Sequence, residues 1–565
     1  MEKSAVRHGL WIAGLVFIVG LAFAIFTQHI WEDYWITFRA SKNLATGHGL
    51  VFTPGERLHT FTSPLGTLLP ALFYLLTGNH SDLVALWMLR IVSLVALGGG
   101  MVLLYQTLRF LQVGAFATGL SLALIGLDAK IIDFTINGME TGLLILFLAL
   151  TIHGLFVAGP RQILRLGTGW AGLMWTRPDG CVYIAVLAAG SFFLLSNFSN
   201  RTTAGTSTAG WLKTFFRAAA VCTVLYLPWF VWAWWYYGSP IPHTIVAKGA
   251  TQPPLHFSDL ISSLVVFPHD ILLYYGTSLP ATFLPGYSGY GGWTDAYTET
   301  ALLLSSVAAL TWLIPLLRPQ TRVISLGYFL GNFYLTGILK YAPPWYLPAV
   351  GVLGYLTLGL LFDQLLGLAL KLPQLGWNRG WFSRLPEILR ASAAVLVLGQ
   401  ITATICVARQ LQVQQAVIED GLREPIGLWL HDHAQTPRDT VMLEPLGYIG
   451  YYSGLKMLDF PGLASREMAA ARKRLGLAGQ NQIYRELKPD WLVLRPAEAQ
   501  SGIFVETEGL QRDYEQVQVF DATAKIKAIN WLPGRSYLMF DQTFLIYHRK
   551  ADAGQKPPAP QTASP

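Results

Sequence analysis

Charge is what this chain has least of. Asp, Glu, Lys and Arg make up 13% of its 565 residues, against 53% hydrophobic residues. A soluble domain carries about twice that share of charge, so an ordinary soluble protein is excluded and a polytopic membrane protein is expected. Cysteine is scarce as well: Cys181, Cys222 and Cys406 are the only three. They lie far apart in apolar segments, which excludes a disulfide framework and a cysteine metal centre. The net charge of +7 comes without a basic run or an RNA-binding signature, so nucleic acid is not a partner. Basic residues fall instead in short clusters between apolar runs, as cytoplasmic loops do. No small-residue cleavage site follows the first apolar run, so that run reads as a retained anchor. No internal repeat is visible, which counts against the alternative class, a transporter or flippase of lipid-linked glycans.

What the chain does have is a series of apolar runs, at 9–27, 83–108, 113–127, 140–158, 163–176, 180–196, 213–236, 299–317, 322–339, 345–366 and 391–408. They predict about eleven transmembrane helices, although 113–127 and 163–176 are shorter than the ~20 residues of an ordinary span. The run 64–78, with Pro64 and Pro70, reads as a helix lying along the interface. Lys3 and Arg7 precede the first run, which places the N-terminus in the cytoplasm. Every second connection then carries the basic residues of that side: Arg109, Arg161, Arg165, Arg201, Lys213, Arg217, Arg318, Arg322, Lys371, Arg379, Arg384 and Arg390.

Beyond residue 408 the composition changes. Strand-like segments at 440–445, 490–496 and 542–549 alternate with helical stretches such as 426–434. The chain thus divides into a membrane module over 1–408, with an outer loop at 28–82, and a soluble α/β domain over 409–549 on the outer side. A disordered tail is expected over 550–565. "EPLGYIGYYSG" (444–454) lacks the spacing of a dinucleotide loop. His431 and His433 are two apart and point in different directions on a helix, so no metal site is expected.

The alternation collects the unusual polar and aromatic clusters on one face of the membrane. "WEDYWITFRASKNLATGHGLVFTPGERLHTFTSP" (31–64) lies outside, as do "DAKIIDFTINGMET" (128–141), "TRPDG" (176–180), "YYGSPIPHTIVAKG" (236–249) and "LKYAPPWY" (339–346). Trp31, Tyr34 and Trp35 read as an interfacial aromatic belt. Glu32 and Asp33 are not covered by that reading, because carboxylates at a low-dielectric boundary are paired or functional. Pairing with Arg39 or Lys42 is one explanation; a general base with a raised pKa is the other. Arg177, His243, Lys248 and Lys340 are outside cations. One alone would snorkel to headgroups, but together they suit a phosphate-bearing lipid. Asp133, Glu140 and Asp179 add outside carboxylates, with capping or pairing at the start of its span the first explanation for Glu140, and Trp345 and Tyr346 read as an aromatic belt or, less often, as a platform for sugar or lipid.

These stretches, in this order, resemble the bacterial GT-C membrane glycosyltransferases that use polyprenyl-phosphate sugars, the mycobacterial-type arabinofuranosyltransferases among them. The resemblance rests on the run from Trp31 to the "GLVFTPGER" stretch, on "NGMETGLL", "TRPDG" and "YYGSPIPHTIVAK", and on "EPLGYIGYYSG" followed by "LDFPGL". The chain departs from the pattern in the aromatics after the acidic pair and in His243, where Asn is common. The resemblance implies an inverting transfer of a sugar, arabinofuranose-like pentoses included, from a polyprenyl-phosphate donor to a cell-envelope glycan, lipid or protein. The catalytic base falls on Asp33, with Glu32 as second choice. Donor-phosphate binding falls on Lys248 and Arg177, and more weakly on Arg39, His243 and Lys340. Substrate binding falls on Glu140, Asp179, Trp345 and Tyr346. No cofactor is implied beyond a divalent cation, which some branches use. The expected location is the bacterial inner membrane, with the C-terminal domain periplasmic or extracellular. A cysteine introduced at Thr53 is therefore expected to react with an impermeant thiol reagent added outside intact cells; labelling only after the cytoplasmic side is opened would reverse the topology.

Overall fold

The computed structural model describes residues 3–195, 208–249, 258–259, 261–262, 265, 278–339, 343–372 and 383–551. Lys340, Arg201, Arg379 and the tail from 552 onward lie outside the described residues. The N-terminal half runs through α1 (Lys3–Thr27), α2 (Glu32–Ala45), α3 (Pro64–Leu76), α4 (Asp82–Phe110), α5 (Ala115–Gly126), α6 (Ala129–Ile136), α7 (Thr141–Phe156), α8 (Gln162–Thr176), α9 (Gly180–Leu195), α10 (Thr208–Tyr237) and α11 (His243–Gly249). Four further long helices follow: Asp295–Leu310, Pro319–Phe333, Leu347–Lys371 and Leu385–Val413. Each apolar run of the sequence is centred on one of these helices. Among the described residues five helices can cross a membrane by length and composition, or six if α5 and α6, bent by 50° at their junction, form one broken span. The chain is a polytopic helical membrane protein.

Small residues let the bundle close. A Cβ on Gly100 of α4 would stand 3.2 Å from the Leu146 Cα of α7, and one on Gly142 of α7 would stand 2.2 Å from the Ser93 carbonyl of α4. Bare backbone at these points allows the close helix–helix approach that stands in for hydrophobic drive inside a membrane.

The segment from Trp31 to Pro64 is not a loop throughout. Its first half is α2, which lies against the C-terminal domain. Trp35 packs among Tyr448, Tyr451 and Tyr452, with ring centroids 5.6, 4.4 and 5.4 Å away. Trp31 packs against Phe134 at 5.2 Å and Trp345 at 5.6 Å. Only 7% of Trp31 and 5% of Trp35 is exposed. This overturns their reading as interfacial anchors: both rings are enclosed by protein, Trp35 by the domain that docks over α2 and Trp31 by rings of the membrane module.

That domain is built on a five-stranded sheet of order β2-β1-β3-β5-β4, formed by β1 (Thr440–Leu443), β2 (Lys456–Asp459), β3 (Trp491–Leu494), β4 (Tyr514–Asp521) and β5 (Thr543–Arg549). β2, β1 and β3 run parallel, and β5 is antiparallel to β3 and β4. The central strands are continuous apolar runs, as strands covered on both faces require. One face packs Met442, Leu492 and Leu494 against Tyr484 and Met468. The other packs Val441, Leu443 and Val493 into a core that also holds Ile36 of α2 and Phe52. The domain therefore shares a hydrophobic core with the membrane module. No linker joins them: the helix beginning at Leu385 continues to His433, passing through a π-helical stretch at Gln414–Arg423. The expected boundary at 408/409 falls inside this unbroken helix.

The docking is tight at the helix Gly447–Ser453, where a Cβ on Gly447 would stand 2.1 Å from the Glu32 carbonyl oxygen. Gly447→Ala is expected to cost about 1–3 kcal/mol by overpacking, read as a lower unfolding temperature in detergent. Gly399→Ala, at a helical position where the added Cβ meets nothing within 4 Å, is expected to leave that temperature unchanged or raise it.

Candidate active site

Five chain segments converge at the end of the bundle that carries α2. Asp33 lies in the first turn of α2. Arg177 follows α8 directly, Glu140 immediately precedes α7, Lys248 sits near the end of α11, and Tyr346 immediately precedes Leu347–Lys371. Local sequence explains two of these placements. Pro178 disfavours helix for the residue before it, and Arg177 is extended (φ −159°, ψ 139°), ending α8 and turning its side chain out of the helical array. Gly138 has φ +100°, and a Cβ there would strike the Tyr34 ring at 2.4 Å, so the turn that delivers Glu140 needs glycine.

Arg177 is held from three sides. Its Nη1 donates to Glu140 Oε1 at 3.2 Å, its Nε donates to Asp179 Oδ1 at 3.0 Å, and its guanidinium carbon lies 4.0 Å from the Tyr346 ring centre. Burial works against its charge, but Asp179, Tyr346 and Glu140 outweigh it and hold the guanidinium firmly protonated. Asp33 is half-buried. Burial raises its pKa above the usual aspartate value, while Lys248 and then Arg177 pull it down. Lys248 keeps part of its side chain exposed, yet loss of water around its ammonium lowers its pKa, with Asp33 the main opposing charge. Burial raises Glu140, against the pull of Arg177. The arrangement is one carboxylate with a raised pKa beside two cations.

The remaining residues proposed from sequence are placed elsewhere. Glu32 pairs with Arg423 at 2.9 Å and accepts from the Gly447 N–H at 3.0 Å. Its carboxyl is pushed up to about 8 by burial, against the pull of Arg423. Arg39 donates to the carbonyls of Gly450 at 2.6 Å, Gly454 at 2.8 Å and Leu455 at 3.1 Å, and its guanidinium lies over the Phe52 ring. The expected pairing of the acidic residues with Arg39 or Lys42 is thereby corrected: Lys42 pairs with Asp82 at 3.1 Å. His243 donates its backbone N–H to the His59 carbonyl at 2.8 Å and lies beside Arg466 of the sheet domain, its pKa lowered chiefly by burial. Trp345 packs against Trp31 rather than standing as an open platform.

A match over residues 407–547 assigns the C-terminal part to a domain of unknown function, DUF8728. No curated protein sequence matches. Among solved structures, apo ArnT from Cupriavidus metallidurans is similar over 98% of this chain and 99% of its own, at 12% identity and a TM-score of 0.50. The Archaeoglobus fulgidus oligosaccharyltransferase in complex with zinc and sulfate is similar over 86% of this chain and 68% of its own, also at 12% identity and 0.50. Mycobacterial arabinofuranosyltransferase AftD covers 94% of this chain with 40% of its own, at 14% identity and 0.35; only the two structures at 0.50 bear on the fold. The fold is that of the GT-C glycosyltransferases.

Within this GT-C fold one residue near Asp33 escaped the reading of the sequence. Glu444 follows β1, at the carboxyl end of the parallel strands, where open α/β sheets gather ligands. Its charge raises both Asp33 and Glu32, and its Oε2 accepts from Arg495 Nη2 at 2.8 Å. The available signal was a carboxylate ending an apolar strand, which the glycines of "EPLGYIGYYSG" overshadowed. Among the described residues no three His, Cys, Asp or Glu side chains converge to hold a metal ion. The charged neighbours of Asp33 are chiefly cations, a donor set that does not fit a divalent metal.

Proposed function

We propose that this chain is an inverting membrane glycosyltransferase. It takes a sugar, with arabinofuranose-like pentoses as candidates, from a polyprenyl-phosphate donor and transfers it to a cell-envelope glycan, lipid or protein. In this reading the chain crosses the bacterial inner membrane about eleven times, with the N-terminus in the cytoplasm and both the site and the sheet domain outside. The observation that carries the proposal is the position of Asp33 against Lys248 and Arg177 at the end of a GT-C bundle. Glu32, the second choice as base, is engaged by Arg423 and Gly447, which leaves Asp33 as the carboxylate for the reaction.

The chemistry needs little else. Asp33 takes the proton from the acceptor hydroxyl as that oxygen attacks the anomeric carbon. The bond from this carbon to the phosphate oxygen breaks, and the polyprenyl phosphate leaves with one more negative charge than it had in the donor. Single displacement inverts the configuration. Lys248 and Arg177 stand where positive charge stabilises the departing phosphate, and fixed cations at developing charge are among the strongest catalytic terms. Glu140, Asp179 and Tyr346 orient Arg177, so their contact with substrate is indirect.

Asp33→Asn is expected to lower transfer in proteoliposomes by at least ~100-fold, the range of a lost general base; full activity would remove the assignment. The pH dependence tests the same residue. The base must be ionised, so activity should fall as pH drops through a pKa lying above the ordinary aspartate value of 3.8. Because Lys248 favours the ionised form, Lys248→Met should move this acid limb to higher pH. A limb that stays in place would separate Lys248 from Asp33.

A further inference from the structure

At the opposite end of the bundle from Asp33, α1, α4 and α5 enclose a groove of about 640 Å³. Asp33 follows the C-terminal end of α1, and Asp82 at the start of α4 pairs with Lys42 on that same side. The groove instead begins at His8 near the start of α1 and at Arg109 near the end of α4. It extends along α1 as far as Val19, a rise of about 16 Å at ~1.5 Å per residue. That length matches half of a hydrocarbon core of ~30 Å. Where Gly126 meets Val16 the walls close, since a Cβ on Gly126 would stand 3.1 Å from a Val16 methyl. Toward the other end they stay apart: Trp11 and Leu15 are 69% and 64% exposed, and a Cβ on Gly119 would meet nothing within 4 Å.

The walls are apolar and the mouth is basic. The Arg109 guanidinium is exposed and pairs with no carboxylate among the described residues. Asp363, at the same end, is engaged by Arg318 at 3.1 Å and by the Gly114 N–H at 2.8 Å. Trp11 and Tyr105, also in the lining, supply aromatic rings of the kind that sit at headgroup depth. We infer that this groove binds one anionic phospholipid of the N-terminal leaflet, its acyl chain along α1 and α5 and its phosphate at Arg109. Anionic headgroups are favoured because an unpaired guanidinium forms charge-assisted bonds to phosphate oxygens and a headgroup amine would oppose it.

The test is native mass spectrometry of the full chain with phosphatidylglycerol or phosphatidylcholine of the same acyl chains, and it involves no transfer assay. The wild type is expected to retain phosphatidylglycerol and not phosphatidylcholine. Gly119→Phe should fill the groove and abolish retention, and Arg109→Gln should weaken it about tenfold or more. Equal retention of the two lipids, or none, would overturn the inference, as would a normally melting Gly119→Phe that still holds phosphatidylglycerol. Displacement of phosphatidylglycerol by polyprenyl phosphate would give the groove to the carrier tail and overturn it too. If Gly119→Phe does not fold, Arg109→Gln at the exposed rim decides.

Discussion

The seating of the sheet domain on α2 is the constraint on which the site depends. Glu32 and Arg423 meet at 2.9 Å, and Arg423 also reaches Glu419 at 3.1 Å and Asp541 at 2.7 Å. Removing Arg423 from this cluster leaves several buried carboxylates without their common partner, the kind of loss that costs about 3–5 kcal/mol. Arg39 adds its contacts to the carbonyls of Gly450, within the helix Gly447–Ser453, and of Gly454 just after it. Successive helical residues are about 100° apart around the axis, from 3.6 residues per turn. Fixing Glu32 toward Arg423 and Gly447 therefore sets Asp33 about 100° further round the helix, among Lys248, Arg177 and Glu444.

The helix that carries Arg423 makes this seating rigid. Leu385–His433 runs without a break from bundle to sheet, so the two modules cannot swing on a flexible linker. Its π-helical stretch at Gln414–Arg423 puts Gln415 Oε1 2.8 Å from the Ile30 N–H and Arg423 beside Glu32. A ladder of wider turns inside an α-helix often marks a functional position; here it sets the residues that grip the start of α2.

Charge balance separates the two cations of the site. Arg177 already has Glu140 and Asp179 within hydrogen-bonding distance and is firmly protonated. It works as a fixed element whose carboxylates keep it oriented. Lys248 makes no ion pair among the described residues, lies partly exposed on a short helix and has a lowered pKa. It is the cation whose charge is less committed, and in the proposed transfer it is the one to follow the phosphate group as charge develops on it.

The sequence by itself determined the membrane class, the helical runs and the set of polar segments that the structure brings to one end of the bundle. Those properties follow from hydropathy and from the alternation of basic loops, which are local in sequence. Asp33, Arg177 and Lys248 were legible as chemistry-bearing residues at one face for the same reason. Only the tertiary structure decided their partners. Arg39 looked like a weaker phosphate ligand and instead meets carbonyls 411 to 416 residues away in sequence; Glu32 looked like the second choice after Asp33 and is paired across a comparable separation. Trp31 and Trp35 looked like membrane anchors because nothing local announces that distant rings will cover them, those of the membrane module for Trp31 and those of the sheet domain for Trp35. Contacts of this kind depend on how a shared core brings two distant parts of the chain together, and no local pattern of residues encodes that.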